Sequence, residues 1–255
     1  MRLNNKVAVI TGAVGGIGQE IVKVFAAEGA RVLAVDLDQA KVEQITKQYD
    51  GQVKATAADV TDYAQVERMM AEAVEHFGTL DIVINNAGIA FPKALLEHDI
   101  ASDFDLVTGV NQKGVLHGIL AGARKLIELG KPGVILNTSS IYGQMAAEMT
   151  FSYNVSKAAV DMMTKSDALE LAPYKIRVAA VAPGRVDTPM LRTLAAMGLW
   201  EHVRREQMRN EFTQPSEIAK VFAFLASEDA NCINGSTVAA EDGYLNFKFP
   251  LVSAQ

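Results

Sequence analysis

Short apolar runs alternate with longer amphipathic stretches along nearly the whole chain, and that alternation leaves few folds open. The runs KVAVIT (6–11), RVLAV (31–35), VKATA (53–57), LDIVIN (80–85), GVILNT (133–138), IRVAAVA (176–182) and STVAA (236–240) are rich in Val and Ile. They are apolar almost throughout, as strands are when helices cover both faces of a parallel sheet. Between two of them, residues 63–77 carry Val66, Met69, Met70, Ala73, Val74 and Phe77 at three- and four-residue spacing, which is one stripe of a helix. Ile21, Val24 and Phe25 repeat the stripe in the first helical stretch. The pattern predicts an α/β fold with a doubly wound parallel sheet of about seven strands, helices on both faces, right-handed crossovers and ligands at the strands' carboxyl ends.

No linker, repeat or low-complexity stretch interrupts this rhythm, so residues 1–255 read as a single domain, broken in pattern only at 190–212. A chain that is 49% hydrophobic and 21% charged fits an ordinary globular protein. The net charge of −6, with no basic block, argues against nucleic acid or an anionic membrane surface as partner. No apolar run approaches the roughly 18 residues of a membrane span. The first strand-like run begins at residue 7, too early for a signal segment, so the expected address is the cytoplasm. Cys232 is the single cysteine and cannot form an intrachain disulfide; its neighbours, AN before and IN after, offer neither metal-ligand spacing nor an activating base, and it reads as structural filler. His76, His98, His117 and His202 are scattered without paired-ligand spacing, so no metal site is expected.

TGAVGGIG (11–18) follows the first strand directly and opens the first helix. Glycines let a backbone turn tightly and approach a pyrophosphate, whose charge is met by helix N-terminal amides. The spacing is Gly12-x-x-x-Gly16-x-Gly18, and it lies in the strand–turn–helix context that such a motif requires. A tight βα connection without a ligand would read the same. The second strand ends in VDLD, placing Asp36 eighteen residues after Gly18. A carboxylate there can accept from both adenosine ribose hydroxyls and would repel a 2′-phosphate. Position 37 is Leu and the glycine turn carries no Arg or Lys, so NAD is favoured over NADP. In AADVTD (57–62), Asp59 suits an adenine amino group and Val60 can wall the base, while Asp62 reads as a helix N-cap. The Asn amides of NNAG (85–88) can stitch neighbouring loops, and Gly88 lets a cofactor pass.

In SYNVSKAAV (152–160), Tyr153 and Lys157 stand four apart, on one helix face. A lysine snorkelling past a core tyrosine accounts for that pair taken alone. Together, however, TGAVGGIG, AADV, NNAG, Asn111 in VNQKG, NTSS with Ser140, Tyr153-NVS-Lys157 and PGRVDTPM (183–190) follow an order that resembles the classical short-chain dehydrogenase/reductase family over about residues 6–245. The resemblance implies a single Rossmann-type domain that transfers hydride between a nicotinamide and a carbonyl or secondary alcohol. It maps a catalytic tetrad onto Asn111, Ser140, Tyr153 and Lys157. Ser139 competes for the serine role, but Ser140 has the family's thirteen-residue interval to Tyr153. The implied cofactor contacts are Gly12, Gly16, Ile17, Gly18, Asp36, Leu37, Asp59, Val60, Asn86, Ala87, Gly88, Tyr153, Lys157, Pro183, Gly184, Val186 and Thr188.

The chemistry supports that assignment. A free phenol titrates near 10, poorly matched to neutral pH, and a nearby cation favours phenolate, so Lys157 is expected to tune Tyr153 downward. Ser140 would stabilise charge on the substrate oxygen. Asn111 would act through a water beside Lys157, or, alternatively, be a helix-interior amide bonding backbone.

Residues 190–212 are amphipathic and Met-rich, and the resemblance makes them a substrate lid in which Met190, Met197, Leu199 and Trp200 wall an apolar pocket, although ordinary core packing would use the same residues. Tyr142 and Gln144 are candidate polar contacts. No fixed carboxylate or phosphate clamp stands out; Arg185, Arg192, Arg204 and Arg205 are the candidates for one, with solvated surface the favoured reading of each. The resemblance also implies a homotetramer formed through the helices that carry Asn111 and Tyr153, with Val155, Ala159, Met162, Met163 and Leu169 as apolar surface. In the tail GYLNFKFPLVSAQ, Glu241-Asp242-Gly243-Tyr244 stands where the family ends Asp-Gly-Gly, and its aromatics are expected against a neighbouring subunit. The expected activity is therefore an NAD(H)-dependent alcohol/ketone oxidoreductase acting on a small molecule. A 3-ketoacyl carrier-protein reductase and a non-catalytic dinucleotide-binding regulator are the alternatives.

Overall fold

The computed structural model describes residues 1–246. Strands β1 (Val7–Thr11), β2 (Arg31–Asp36), β3 (Val53–Ala57), β4 (Ile82–Asn85), β5 (Gly133–Thr138), β6 (Ile176–Pro183) and β7 (Thr237–Ala240) form one sheet in the order β3-β2-β1-β4-β5-β6-β7. Every pairing is parallel. The strand order reverses between β1 and β4, which opens a crevice at their carboxyl ends.

The helices are α1 (Gly16–Ala27), α2 (Gln39–Thr46), α3 (Tyr63–Phe77), α4 (Gly114–Glu128), α5 (Phe151–Leu171), α6 (Pro189–Ala196), α7 (Trp200–Arg205) and α8 (Pro215–Ala226). The period-2 pleat divides each of the five central strands between two cores. Ala8 and Ile10 join Val32, Ile84 and Val181 on one face, under α1 and α8, where Phe25 and Phe222 are fully buried. Val7 and Val9 join Leu33, Val83 and Val178 on the other, under α3, α4 and α5. Burying each of those two Phe side chains contributes about 2–3 kcal/mol. Helix α3 has the stripe read from sequence, with Val66, Met69, Met70, Ala73 and Phe77 buried. Asp62 caps it, accepting from the Ala64 amide at 3.0 Å. Cys232 is exposed, which corrects its reading as structural filler. Among the described residues no helix is long and apolar enough to cross a membrane, and no group of three or more His, Cys, Asp or Glu side chains is placed to hold a metal ion.

Candidate active site

Two adjoining clefts occupy the carboxyl edge of the sheet. The larger, about 440 Å³, runs from the Gly12–Gly18 turn past Asp36 and Val60 to Gly88, Lys157 and Tyr153. The smaller, about 170 Å³, is bounded by Ser140, Tyr142, Tyr153, Arg185 and α6. Ile17, Thr138, Tyr153, Thr188 and Met190 border both, so the Tyr153 side chain stands at their junction.

The large cleft is shaped by backbone approaching backbone. Gly12 has φ +66°, and a Cβ there would also lie 2.8 Å from the Ala87 Cα. A Cβ at Gly18 would be driven into the Gly12 carbonyl oxygen, so α1 can begin this close to the turn only with glycine. No side chain caps α1 and no acidic residue occupies its first turn, which leaves its N-terminal amides for an anionic ligand. At the end of β2, Asp36 accepts from the Val14 amide at 3.0 Å and the Leu37 amide at 2.8 Å, which ties the adenosine end to the phosphate turn. Leu37 lies exposed on the cleft wall. Asp59 is engaged locally by the Thr61 amide and hydroxyl, both at 2.8 Å, with Val60 buried beside it.

Asn86 is the stitch expected of the NNAG motif. Its Nδ2 donates to the Thr11 and Gly12 carbonyls at 3.1 and 3.3 Å, and its Oδ1 accepts from the Thr138 hydroxyl at 3.2 Å. The Ala87 amide donates to the Thr11 hydroxyl at 3.1 Å. On the far side, Gly184 packs so tightly on Glu241 that a Cβ would come within 2.8 Å of the Glu241 Cβ. Val186 is buried, Pro183 and Gly184 border the smaller cleft, and Thr188 caps α6 through the Leu191 amide at 3.3 Å. These shapes fit an elongated ligand with phosphates at α1 and its far end beside Tyr153, which is how a nicotinamide dinucleotide is built.

The Tyr153 and Lys157 side chains do meet. The Lys157 Nζ lies 5.5 Å from the centre of the Tyr153 ring and donates to the Thr138 carbonyl at 2.7 Å. Lys157 is 2% exposed, and burial brings its ammonium down to about 8, with Asp161 opposing. In the protein without cofactor, burial raises the Tyr153 phenol, with the neighbouring Ser140 hydroxyl opposing. In the protein alone desolvation outweighs the cation, because the ammonium faces the ring and bonds the Thr138 carbonyl. Ser139 and Ser140 have different surroundings. Ser139 points back to the Lys157 carbonyl at 3.4 Å, whereas the Ser140 hydroxyl accepts from the Tyr142 amide at 3.2 Å and faces the phenol.

The Asn111 side chain bonds backbone, as the second of its readings describes. Its Nδ2 donates to the Ile89 carbonyl and its Oδ1 accepts from the Ile89 amide, both at 2.8 Å, and Nδ2 also meets the Ser156 hydroxyl at 3.2 Å. It sits in a widened turn, Gly109–Lys113, with the i→i+5 pattern that interrupts a helix, immediately before α4. A Cβ at Gly88 would lie 3.3 Å from the Asn111 Oδ1 and 3.6 Å from the Lys157 Nζ, so the two side chains flank one point on the backbone.

The lid stretch forms α6 and α7. Met190 lines the clefts, but Trp200 packs on Phe212 with centroids 4.5 Å apart, and Met197 and Leu199 are exposed away from the cavity. Tyr142 lines the small cleft and Gln144 does not. Arg185, read from sequence as solvated, lies over the Tyr142 ring inside that cleft, with its side chain 17% exposed. Of the C-terminal segment, Tyr244 is described and donates to Glu206 at 3.4 Å; residues 247–255 lie outside the described residues.

Residues 12–245 match a protein family described as enoyl-(acyl carrier protein) reductase. The chain is 36% identical to a 3-oxoacyl-(acyl-carrier-protein) reductase of Thermotoga maritima, over 95% of this chain and 99% of that protein. It is 34% identical to a galactitol 2-dehydrogenase of Agrobacterium fabrum, over 95% of this chain and 98% of that one. The crystal structure of a 3-ketoacyl-(acyl-carrier-protein) reductase from Brucella melitensis complexed with NADH superposes with a TM-score of 0.87 at 34% identity, covering 95% of this chain and 99% of that one. Likeness that runs the length of both partners, and not through one shared phosphate-binding turn, decides the matter: the chain belongs to the short-chain dehydrogenase/reductase family and is an oxidoreductase dependent on a nicotinamide dinucleotide.

Proposed function

We propose that the protein interconverts a secondary alcohol and a ketone, with NAD(H) preferred over NADP(H) and Tyr153 exchanging the proton. The observation that carries this reading is the position of Tyr153, which among the described residues is the one side chain that combines an ionisable hydroxyl with a place on both clefts. When bound, the nicotinamide supplies or accepts the hydride. Gly12, Gly16, Ile17 and Gly18 hold the pyrophosphate on the α1 amides, and Asp36 with Leu37 meets the adenosine ribose. Asp59 and Val60 wall the adenine, and Asn86, Ala87 and Gly88 carry the backbone past it. Lys157 takes the second ribose, while Pro183, Gly184, Val186 and Thr188 face the carboxamide.

Ser140 donates to the substrate oxygen and Tyr153 gives or takes the proton there. A phenol raised by burial is protonated at neutral pH, so Tyr153 is ready as the acid for ketone reduction. Lys157 acts on it as a nearby charge, its ammonium bonded to the Thr138 carbonyl. Asn111 acts as a positioning residue that fixes the Ile89 backbone beside Lys157. Residues 190–212 serve as the lid, through Met190 and Leu191. The exposed apolar face of Leu116, Leu120, Val155, Met162 and Leu169 supports assembly into a homotetramer through α4 and α5.

Absorbance at the NADH band, with a panel of ketones and NADPH in parallel, tests the reading. NADH consumption that exceeds NADPH consumption supports it; binding of dinucleotide with no turnover of any ketone would leave a non-catalytic regulator. The Thermotoga relative favours a 3-ketoacyl carrier-protein substrate as a second reading, and an acyl thioester in the panel separates the two.

A further inference from the structure

The small cleft is walled mainly by apolar groups, among them Ala90, Phe91, Pro92, Leu191 and Leu194, yet it contains one guanidinium. Arg185 follows the β6 turn and lies 5.2 Å over the Tyr142 ring centre, which holds its plane against an aromatic face. Its Nε is buried and, among the described residues, has no hydrogen-bond partner. A terminal nitrogen makes a single contact with the Glu206 carboxylate at 3.5 Å, too long for a strong charge-assisted bond. Glu206 is not dependent on that contact, since it also faces the Tyr244 hydroxyl at 3.4 Å and the His202 Nε2 at 3.4 Å. A guanidinium has five N–H donors in a fork matched to a carboxylate, and here the Glu206 carboxylate and the neighbouring Tyr244 hydroxyl engage only part of it among the described residues. A buried donor without an acceptor is unfavourable, and a ligand carboxylate relieves it.

We propose that Arg185 binds a carboxylate on the substrate, so that the compound turned over is an oxo acid or the matching hydroxy acid, with its reacting oxygen at Tyr153 and Ser140. The inference rests on the alcohol/ketone reading above and deepens it. Glu206 holds Arg185 in place while the cleft is open to solvent and shares it with the substrate carboxylate on binding. The apolar wall then contacts the carbon chain between the two ends.

The test compares 3-oxobutanoate, 4-oxopentanoate and 5-oxohexanoate with their methyl esters, using the intact chain and NADH. At one chain length or more, the acid should exceed its ester in kcat/KM by at least about tenfold, the size of one charge-assisted hydrogen bond. The same acid should raise the melting temperature of the protein more than its ester does. Arg185→Gln should bring the acid-to-ester ratio down by about the same tenfold, and Arg185→Lys, which keeps the charge but not the fork, should lie between. Acids and esters used alike by the wild-type protein would overturn the inference even if neither variant folds, as would an unchanged ratio in a folded Arg185→Gln protein. Turnover of esters without preference for acids rejects the carboxylate and leaves the ketone reading standing; no turnover of either series with NADH or NADPH rejects both.

Discussion

The Lys157 ammonium stands 5.5 Å from the centre of the Tyr153 ring, but its hydrogen bond goes to the Thr138 carbonyl, 2.7 Å away. The pair is therefore electrostatic and not directly bonded, and the proposed function gives proton exchange to the phenol alone. Tyr153→Phe removes one hydroxyl from the junction of the clefts and leaves their shape intact. Turnover should fall by at least about 100-fold while dinucleotide binding, followed by fluorescence titration, stays within a few fold. Activity within about tenfold of wild type, only about 1.4 kcal/mol in the barrier, would remove Tyr153 from its role.

Burial of Lys157 has a sign that can be measured. An unfolded lysine titrates near 10.4, and the folded one at about 8, so between those values the native state binds fewer protons than the unfolded state. Stability contributed by this group accordingly rises with pH across that window. Lys157→Met lacks the titration. Relative to that variant, the wild-type protein should gain roughly 2 kcal/mol of unfolding free energy between about pH 7 and about pH 9.5. Chemical denaturation at the two pH values checks it, and a constant difference would show that the ammonium is not desolvated.

Asp36 bonds the turn after β1 and, in the proposed function, discriminates NAD from NADP. Asp36→Ala deletes the carboxylate that would repel a 2′-phosphate, together with its bonds from the Val14 and Leu37 amides. The ratio of kcat/KM for NADH over NADPH should fall by about tenfold or more, the scale of one charge-assisted hydrogen bond. An unchanged ratio would detach Asp36 from cofactor choice.

Gly18→Ala should act on the first turn of α1. The new methyl meets the Gly12 carbonyl oxygen, which is main chain and cannot swing aside, so the turn and the helix start must separate. Overpacking of this kind costs about 1–3 kcal/mol. Calorimetry should show a lower melting temperature, and the stabilisation by saturating dinucleotide should shrink with it. A variant that melts and binds like wild type would mean the turn is not packed as described.

Strand positions were legible because a strand covered on both faces has no polar positions to hide, and the runs at 53–57 and 133–138 coincide with β3 and β5. The Tyr153–Lys157 contact was legible for the same reason, being set by the period of one helix. What sequence did not show depends on partners far along the chain. Arg185 looks like surface until Glu206 and Tyr142 are placed around it by the folding of α7 and the loop after β5. Asn111 reaches the Ile89 backbone, twenty-two residues away in sequence, and no spacing rule announces such a pair. Met197, Leu199 and Trp200 have the right chemistry for a pocket wall, but helical period says which residues share a face, not which face meets the cavity.

Asn86 grips the loop after β1 with its nitrogen and the end of β5 with its oxygen, behind both clefts. Strain introduced in the later turns of α6, beyond Met190, is therefore opposed by a clasp that holds the ends of β1 and β5 together. That part of the rim can be rebuilt for a different molecule while the reacting distance stays put, and grafting foreign rim segments onto this frame is a practical route to new substrates.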